Sequence, residues 1–133
     1  MKTSEIIEGN KLIAEFMNGI YSENANAWGF GNARIEHKTK IIQGKKYENL
    51  VWAERWEVEL KYHSSWDWLI PVVEKIESLN NYTRIETPIN KKELRQTYCN
   101  IDGKEEFKTY SKSKIEALWL AVVEFIKWYN ENK

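Results

Sequence analysis

A chain of 133 residues is long enough to bury a core without disulfides or metals, and 42% hydrophobic residues, with seven Trp and seven Tyr, set it far from disordered compositions. Twenty basic and twenty acidic side chains cancel, so no global field draws in duplex nucleic acid or imitates it. The single cysteine, Cys99, excludes an intramolecular disulfide and a cysteine-based metal site.

Length alone points to one domain, residues 1–133. The start, Met1-Lys2-Thr3-Ser4-Glu5, leads into an acidic amphipathic segment rather than an apolar signal core, and no apolar run approaches the ~18 residues that span a bilayer. The expectation is a reducing cytoplasm and no membrane contact. Charge is uneven locally: residues 37–62 hold six basic and four acidic groups and 82–114 hold eight and five, whereas 1–36 and 63–81 are net acidic. Lysines on edge strands block sheet-to-sheet aggregation, and the same charge would suit an anion-binding surface.

Ile6, Ile7, Leu12, Ile13, Phe16 and Met17 recur at helical spacing behind Thr3 and Ser4, which have capping oxygens. Gly9 and Asn10 weaken that helix, and its end is expected near Asn18-Gly19. Residues 22–32 are small, polar and glycine-bearing, so they read as an irregular loop. From Ala33 to Ile42 the side chains alternate, with Ile35, His37, Thr39 and Ile41 on the face expected to be buried; Trp56, Val58, Leu60 and Tyr62 repeat the pattern after a turn at Gln43-Gly44-Lys45-Lys46. Residues 47–53 fit either period.

Ser64 or Ser65 opens a second helix with an expected stripe of Trp66, Leu69, Val73 and Ile76, widened by Val72 and Leu79. Pro71 lacks the donor for the bond back to Asp67, which predicts an irregular first turn. Tyr82–Thr87 reads as a short strand stopped by Pro88. Asp102-Gly103 is a two-residue hairpin signal and sets Tyr98 opposite Phe107 as a cross-strand pair. The last helix begins with capping-box spacing at Ser113 and Glu116, and apolar residues cover most of its circumference from Ile115 to Tyr129. Such a surface predicts burial against the sheet and another helix or a second chain, so a homo-oligomer is one expectation. The fold class is α+β: an antiparallel sheet with helices packed on its faces, in the order α-β-β-α-β-β-β-α.

The segments 10–17, 62–77 and 115–130, with their Trp66-Asp67-Trp68 and Ala121-Val122-Val123-Glu124-Phe125-Ile126-Lys127-Trp128-Tyr129-Asn130 words, resemble small phage and prophage proteins of the phage ABA sandwich family. The likeness covers the helices, somewhat under half the chain. It implies an α/β/α layered domain and a mobile-element origin, and it brings no catalytic residue to carry over. Residues 22–60 and 80–112 lie outside it.

Each candidate site has a plain structural reading beside it. Trp66 and Trp68 with Asp67 suit stacking on a base and binding of a ribose hydroxyl, but adjacent helix positions diverge by about 100°. One buried indole, with Asp67 charging the helix N-terminus, is the simpler account. His63 beside Ser64 and Ser65 places a base next to hydroxyls, yet neighbouring residues rarely meet in catalytic geometry. Two histidines without clustered cysteines make poor zinc ligands. Gly29-Phe30-Gly31 falls short of a dinucleotide fingerprint because it precedes a strand and Arg34 stands where the motif needs a small residue. Trp28 and Phe30 then belong either to a lid or, more simply, to packing. Lys38, Lys40, Lys45, Lys46, Lys91, Lys92 and Arg95, interleaved with Tyr47, Trp52, Trp56 and Tyr98, have the chemistry of a single-strand or nucleotide surface if they share a face.

No catalytic set, metal site or cofactor is expected. The leading expectation is a phage- or prophage-encoded accessory protein that binds and inhibits a host antiviral protein in the bacterial cytoplasm, with Trp28, Phe30, Lys38, Lys40, Trp52, Trp56, His63, Trp66, Asp67, Trp68, Arg95 and Tyr98 as candidate contacts. Two alternatives stay open: a sponge for a nucleotide immune signal in a basic aromatic pocket, and an enzyme acting on nucleotides through Asp67, His63 or Glu57.

Overall fold

The computed structural model describes residues 1–79, 81–86 and 97–132, with the side chains of Thr97 and Tyr98 outside that description. Lys91, Lys92, Arg95 and the strand stop expected at Pro88 also fall outside it. The described helices are α1 (Thr3–Phe16), α2 (Trp66–Ser78) and α3 (Lys114–Asn132). Short antiparallel strands fill the rest, and the class is α+β. The chain forms two compact units, one from Met1–Ile13 with Lys61–Lys133, the other from Ala14–Leu60.

The first unit is built around α3. Eight of its residues from Ala117 to Ile126 are buried, which only elements on several sides can achieve. One side is the sheet of β8 (Thr83–Glu86), β9 (Thr97–Ile101) and β10 (Thr109–Ser111), in the order β10-β9-β8. Cys99 and Ile101 of β9 are fully buried, and the Thr109 hydroxyl donates to the Ala117 carbonyl of α3 at 2.5 Å. The other sides are α2, through Leu69, Val72, Val73 and Ile76, and α1. Gly9 is the reason α1 fits: a Cβ there would lie 2.3 Å from the Trp119 ring. The residue that weakens the isolated helix is the one that admits the indole.

Asn10 has a matching role. Its Oδ1 accepts the buried Trp119 indole N–H at 2.8 Å, and its amide donates to Nδ1 of His63 at 2.9 Å. One side chain thereby pairs an indole proton that would otherwise be stranded in an apolar core. At the other end of α3, Phe107 packs edge-on against Phe125 and Trp128, at 5.6 and 5.8 Å. The Ser113 hydroxyl accepts from the Glu116 N–H at 3.4 Å, half of the expected capping box.

In the second unit α1 ends on Asn18, whose φ of 62° suits a left-handed helix stop, and the Gly19 N–H bonds the Ala14 carbonyl at 2.8 Å. Three small ribbons follow. β1 (Ile20–Ser22), β2 (Ala27–Phe30) and β7 (Arg55–Glu57) form one sheet; β3 (Arg34–Glu36) pairs with β6 (Leu50–Trp52); β4 (Lys40–Ile42) pairs with β5 (Lys45–Tyr47). The last hairpin closes on Gln43 and Gly44, both at positive φ, as the turn reading requires.

Several local expectations are corrected here. Residues 22–32 are no loop, because a turn through Asn26 at φ 49° returns the chain as β2. The alternation over 33–42 breaks into two three-residue strands, and its apolar face is not buried: Ile35 is exposed and Ile41 is 71% exposed. The second alternating run keeps only Arg55–Glu57 as strand, leaving Val58 78% exposed. Trp66, the first residue of α2, and Leu79, the residue that follows its end, are both exposed rather than part of the stripe, which is Leu69, Val72, Val73 and Ile76. Tyr98 faces Tyr110, not Phe107. The Asp102-Gly103 turn forms, with both φ positive, but a 3-10 turn at Glu105–Phe107 follows and sends Phe107 into the core before β10 begins.

Candidate functional site

The second unit gathers the aromatic candidates on short strands. Gly29 of β2 sits opposite Trp56 of β7, and a Cβ on Gly29 would lie 2.6 Å from the Ala53 Cβ and 3.2 Å from the indole, so the bare backbone gives both room. Trp56 remains 40% exposed there. Trp52 of β6, 43% exposed, is opposite Arg34 of β3, whose guanidinium lies 5.0 Å from the ring centroid. Arg55 stands 5.0 Å over Phe30, which is buried, so packing and not a lid is its role. Trp28 is half-buried and leans on Tyr21 at 5.5 Å. Each guanidinium also meets a carboxylate in its own strand, Glu36 and Glu57, at 3.4 Å. Lys38 and Lys40 are exposed, Lys40 on the β4–β5 hairpin.

The tryptophan pair of α2 separates as helix geometry demands. Trp68 is half-buried and meets Tyr62 edge-on at 5.1 Å, while Trp66 is 41% exposed and Asp67 is exposed in the first turn. The buried member of the pair is therefore Trp68. His63 is half-buried and spends Nδ1 on Asn10, so this ring nitrogen carries no proton in that bond. Ser64 and Ser65 both send their backbone N–H groups to the Lys61 carbonyl.

The face of the β8–β9–β10 sheet turned away from α3 holds a different kind of place. Arg84 of β8 is directly opposite Asn100 of β9, and with Tyr82, Gly103, Glu105 and Lys108 they line a polar cavity of about 200 Å³. Asn100 is buried; its amide donates to the Lys104 carbonyl at 3.4 Å, and its Oδ1 has no hydrogen-bond partner. The Tyr82 carbonyl accepts the Asp102 N–H at 2.8 Å, which ties the wall to the turn. Gly103, at φ 67°, passes so close to the phenol that a Cβ would lie 2.7 Å from its oxygen.

No family model, curated protein or solved structure matches this chain.

Among the described residues no three His, Cys, Asp or Glu side chains converge as metal ligands, and no described helix is long and apolar enough to cross a membrane. Burial pushes the Cys99 thiol up to about 11, partly opposed by a backbone hydrogen bond at Asn100, so it is held as an unreactive thiol. Burial also lowers Lys75 from the usual lysine range.

The predicted site residues thus fall into separate places. Trp52 and Trp56 share the second unit with Trp28, Phe30, Lys38 and Lys40; His63, Trp66, Asp67 and Trp68 belong to the first. Tyr98 has only its backbone position, opposite Tyr110 and Glu86. The cavity residues were missed in sequence. Strand alternation through Arg84 and Asn100, joined to the Asp102-Gly103 turn, is the signal that puts them on one face, but it names no partner strand for β8.

Proposed function

We propose that this chain is a non-enzymatic accessory protein that binds a protein partner through the aromatic strands of its second unit. One observation carries the reading: Trp52 and Trp56 stand more than a third exposed on neighbouring strand pairs, with Arg34 stacked against the first. Trp, Tyr and Arg are the side chains that dominate protein interfaces, because a flat rigid ring or fork gains much contact for little lost entropy. Exposed Tyr21, Ile35, Ile41 and Ile42 in the same unit add to the apolar surface.

A phage or prophage source is part of the proposal, as the resemblance of the helical segments to phage ABA sandwich proteins implies; a host antiviral protein as the partner and the bacterial cytoplasm as the place of action are proposed with it. The test is a plating assay in a bacterium carrying one defined antiviral system at a time, paired with co-purification. Wild type should restore phage plating against one system and hold one of its proteins in stoichiometric amount. Trp52→Ala with Trp56→Ala should lose both while keeping the thermal unfolding midpoint. A double variant that plates and co-purifies like wild type overturns the reading.

A further inference from the structure

We infer that the cavity on the outer face of the β8–β9–β10 sheet is a binding site for a small phosphate ester bearing hydroxyl groups, of the size of a sugar phosphate. Two cations flank one amide. Arg84 of β8 is opposite Asn100, and Lys108 immediately precedes β10 on the other side of β9, so adjacent-strand spacing puts their backbones roughly 10 Å apart. Long side chains close that gap on a shared oxyanion.

The ion pairs of the two cations with carboxylates are long. Glu86 meets Arg84 at 3.6 Å and Glu105 meets Lys108 at 3.8 Å, well beyond the roughly 2.7–2.9 Å of a charge-assisted hydrogen bond. Both pairs have a solvent-exposed member, and exposed pairs of this kind are weak. A doubly charged phosphate that accepts from both cations replaces them at small cost. Planar guanidinium is the group suited to two phosphate oxygens at once.

The rest of the lining asks for donors. The Glu105 carboxylate accepts only, and the buried Asn100 side chain is held by a single long bond at 3.4 Å, its Oδ1 unpaired. A buried amide left in this state costs free energy, and rotation toward a ligand hydroxyl relieves it. The Tyr82 phenol can donate or accept at the mouth, and Gly103 is what leaves it room. Size narrows the class further. At about 200 Å³ the cavity is smaller than the roughly 300–1,000 Å³ that takes a drug-sized ligand, a size that suits a phosphate with one sugar ring.

Titration calorimetry of the full chain with ribose 5-phosphate, ribose and inorganic phosphate tests this. Ribose 5-phosphate should bind, ribose should not, and inorganic phosphate should bind at least 10-fold more weakly than the ester. Arg84→Gln should weaken the ester at least 10-fold, and amide resonances of Asn100 and Gly103 should shift on titrating the wild type. No heat from the ester at millimolar concentration, unchanged affinity in Arg84→Gln, or equal affinity for inorganic phosphate would each overturn the inference. Ester binding without shifts at Asn100 and Gly103 would place the ligand elsewhere and overturn it as well.

Discussion

The two units solve the same problem with unequal means. The first winds a sheet and two helices around α3 and buries Trp119, Phe107, Phe125 and a full set of aliphatic side chains. The second, all ribbons beyond the end of α1, buries Phe16, Ala27 and Phe30 but leaves Ile41 and Val58 largely in water and Trp52, Trp56 and Ile35 more than a third exposed. Three-residue strands have too few inward positions to build a core by themselves. The lesson is that aromatic content says little until one knows which unit holds it: in the first an indole is a structural pillar, in the second it is available for contact.

The sharpest way to break this contrast is Trp119→Ala, which should cost the first unit about 3–5 kcal/mol in urea unfolding. A loss under 1 kcal/mol would mean α3 is not its centre. Next comes pH. An unfolded cysteine gives up its proton near pH 9 while buried Cys99 holds it to about 11, so this contribution to stability is intact below pH 9 and drains away as pH rises through 11. The ceiling is about 2–3 kcal/mol for the two-unit gap. Urea midpoints at pH 8 and 10.5 should fall further for wild type than for Cys99→Ala; equal falls would remove Cys99 from the account.

Gly9→Ala should cost about 1–3 kcal/mol by overpacking against the Trp119 ring, although alanine is the better helix former. A stabilised variant would show that the ring has room to yield. The smallest effect belongs to Trp52→Ala, expected within about 0.5 kcal/mol of wild type in stability. If it destabilises as much as Trp119→Ala, the second unit has a core of its own and its aromatics are not free for a partner.

How much of this was legible follows the same divide. Helical periodicity located all three helices, since α3 repeats its apolar positions over 19 residues and α2 over 13. Strand alternation over 33–42 misled, because alternation shows only which side chains share a face and not whether anything lies over it. The reversal at Gln43-Gly44 was legible from turn chemistry, although Lys45 and Lys46, expected in the turn, belong to β5, whereas Asp102-Gly103 gave the right turn and the wrong register, the intervening 3-10 turn at Glu105–Phe107 having no local signature. Gly9 and Asn10 read as defects, because their partner Trp119 lies 109 residues beyond Asn10. The outer cavity needed the pairing of β8 with β9, which no short motif encodes.

That distant bond between Asn10 and Trp119 also bears on synthesis at the ribosome. Residues 14–60 form an inserted stretch of sequence whose strand pairings all close within it, so they can be completed while much of the chain is still to emerge. The segment that carries Asn10 must wait for nearly the whole chain to be translated before its indole partner exists, and contacts of such separation are slow to form. Until then the nascent chain offers an unfinished greasy helix, which makes the last seconds of translation the period when chaperone capture or premature clumping has its best chance.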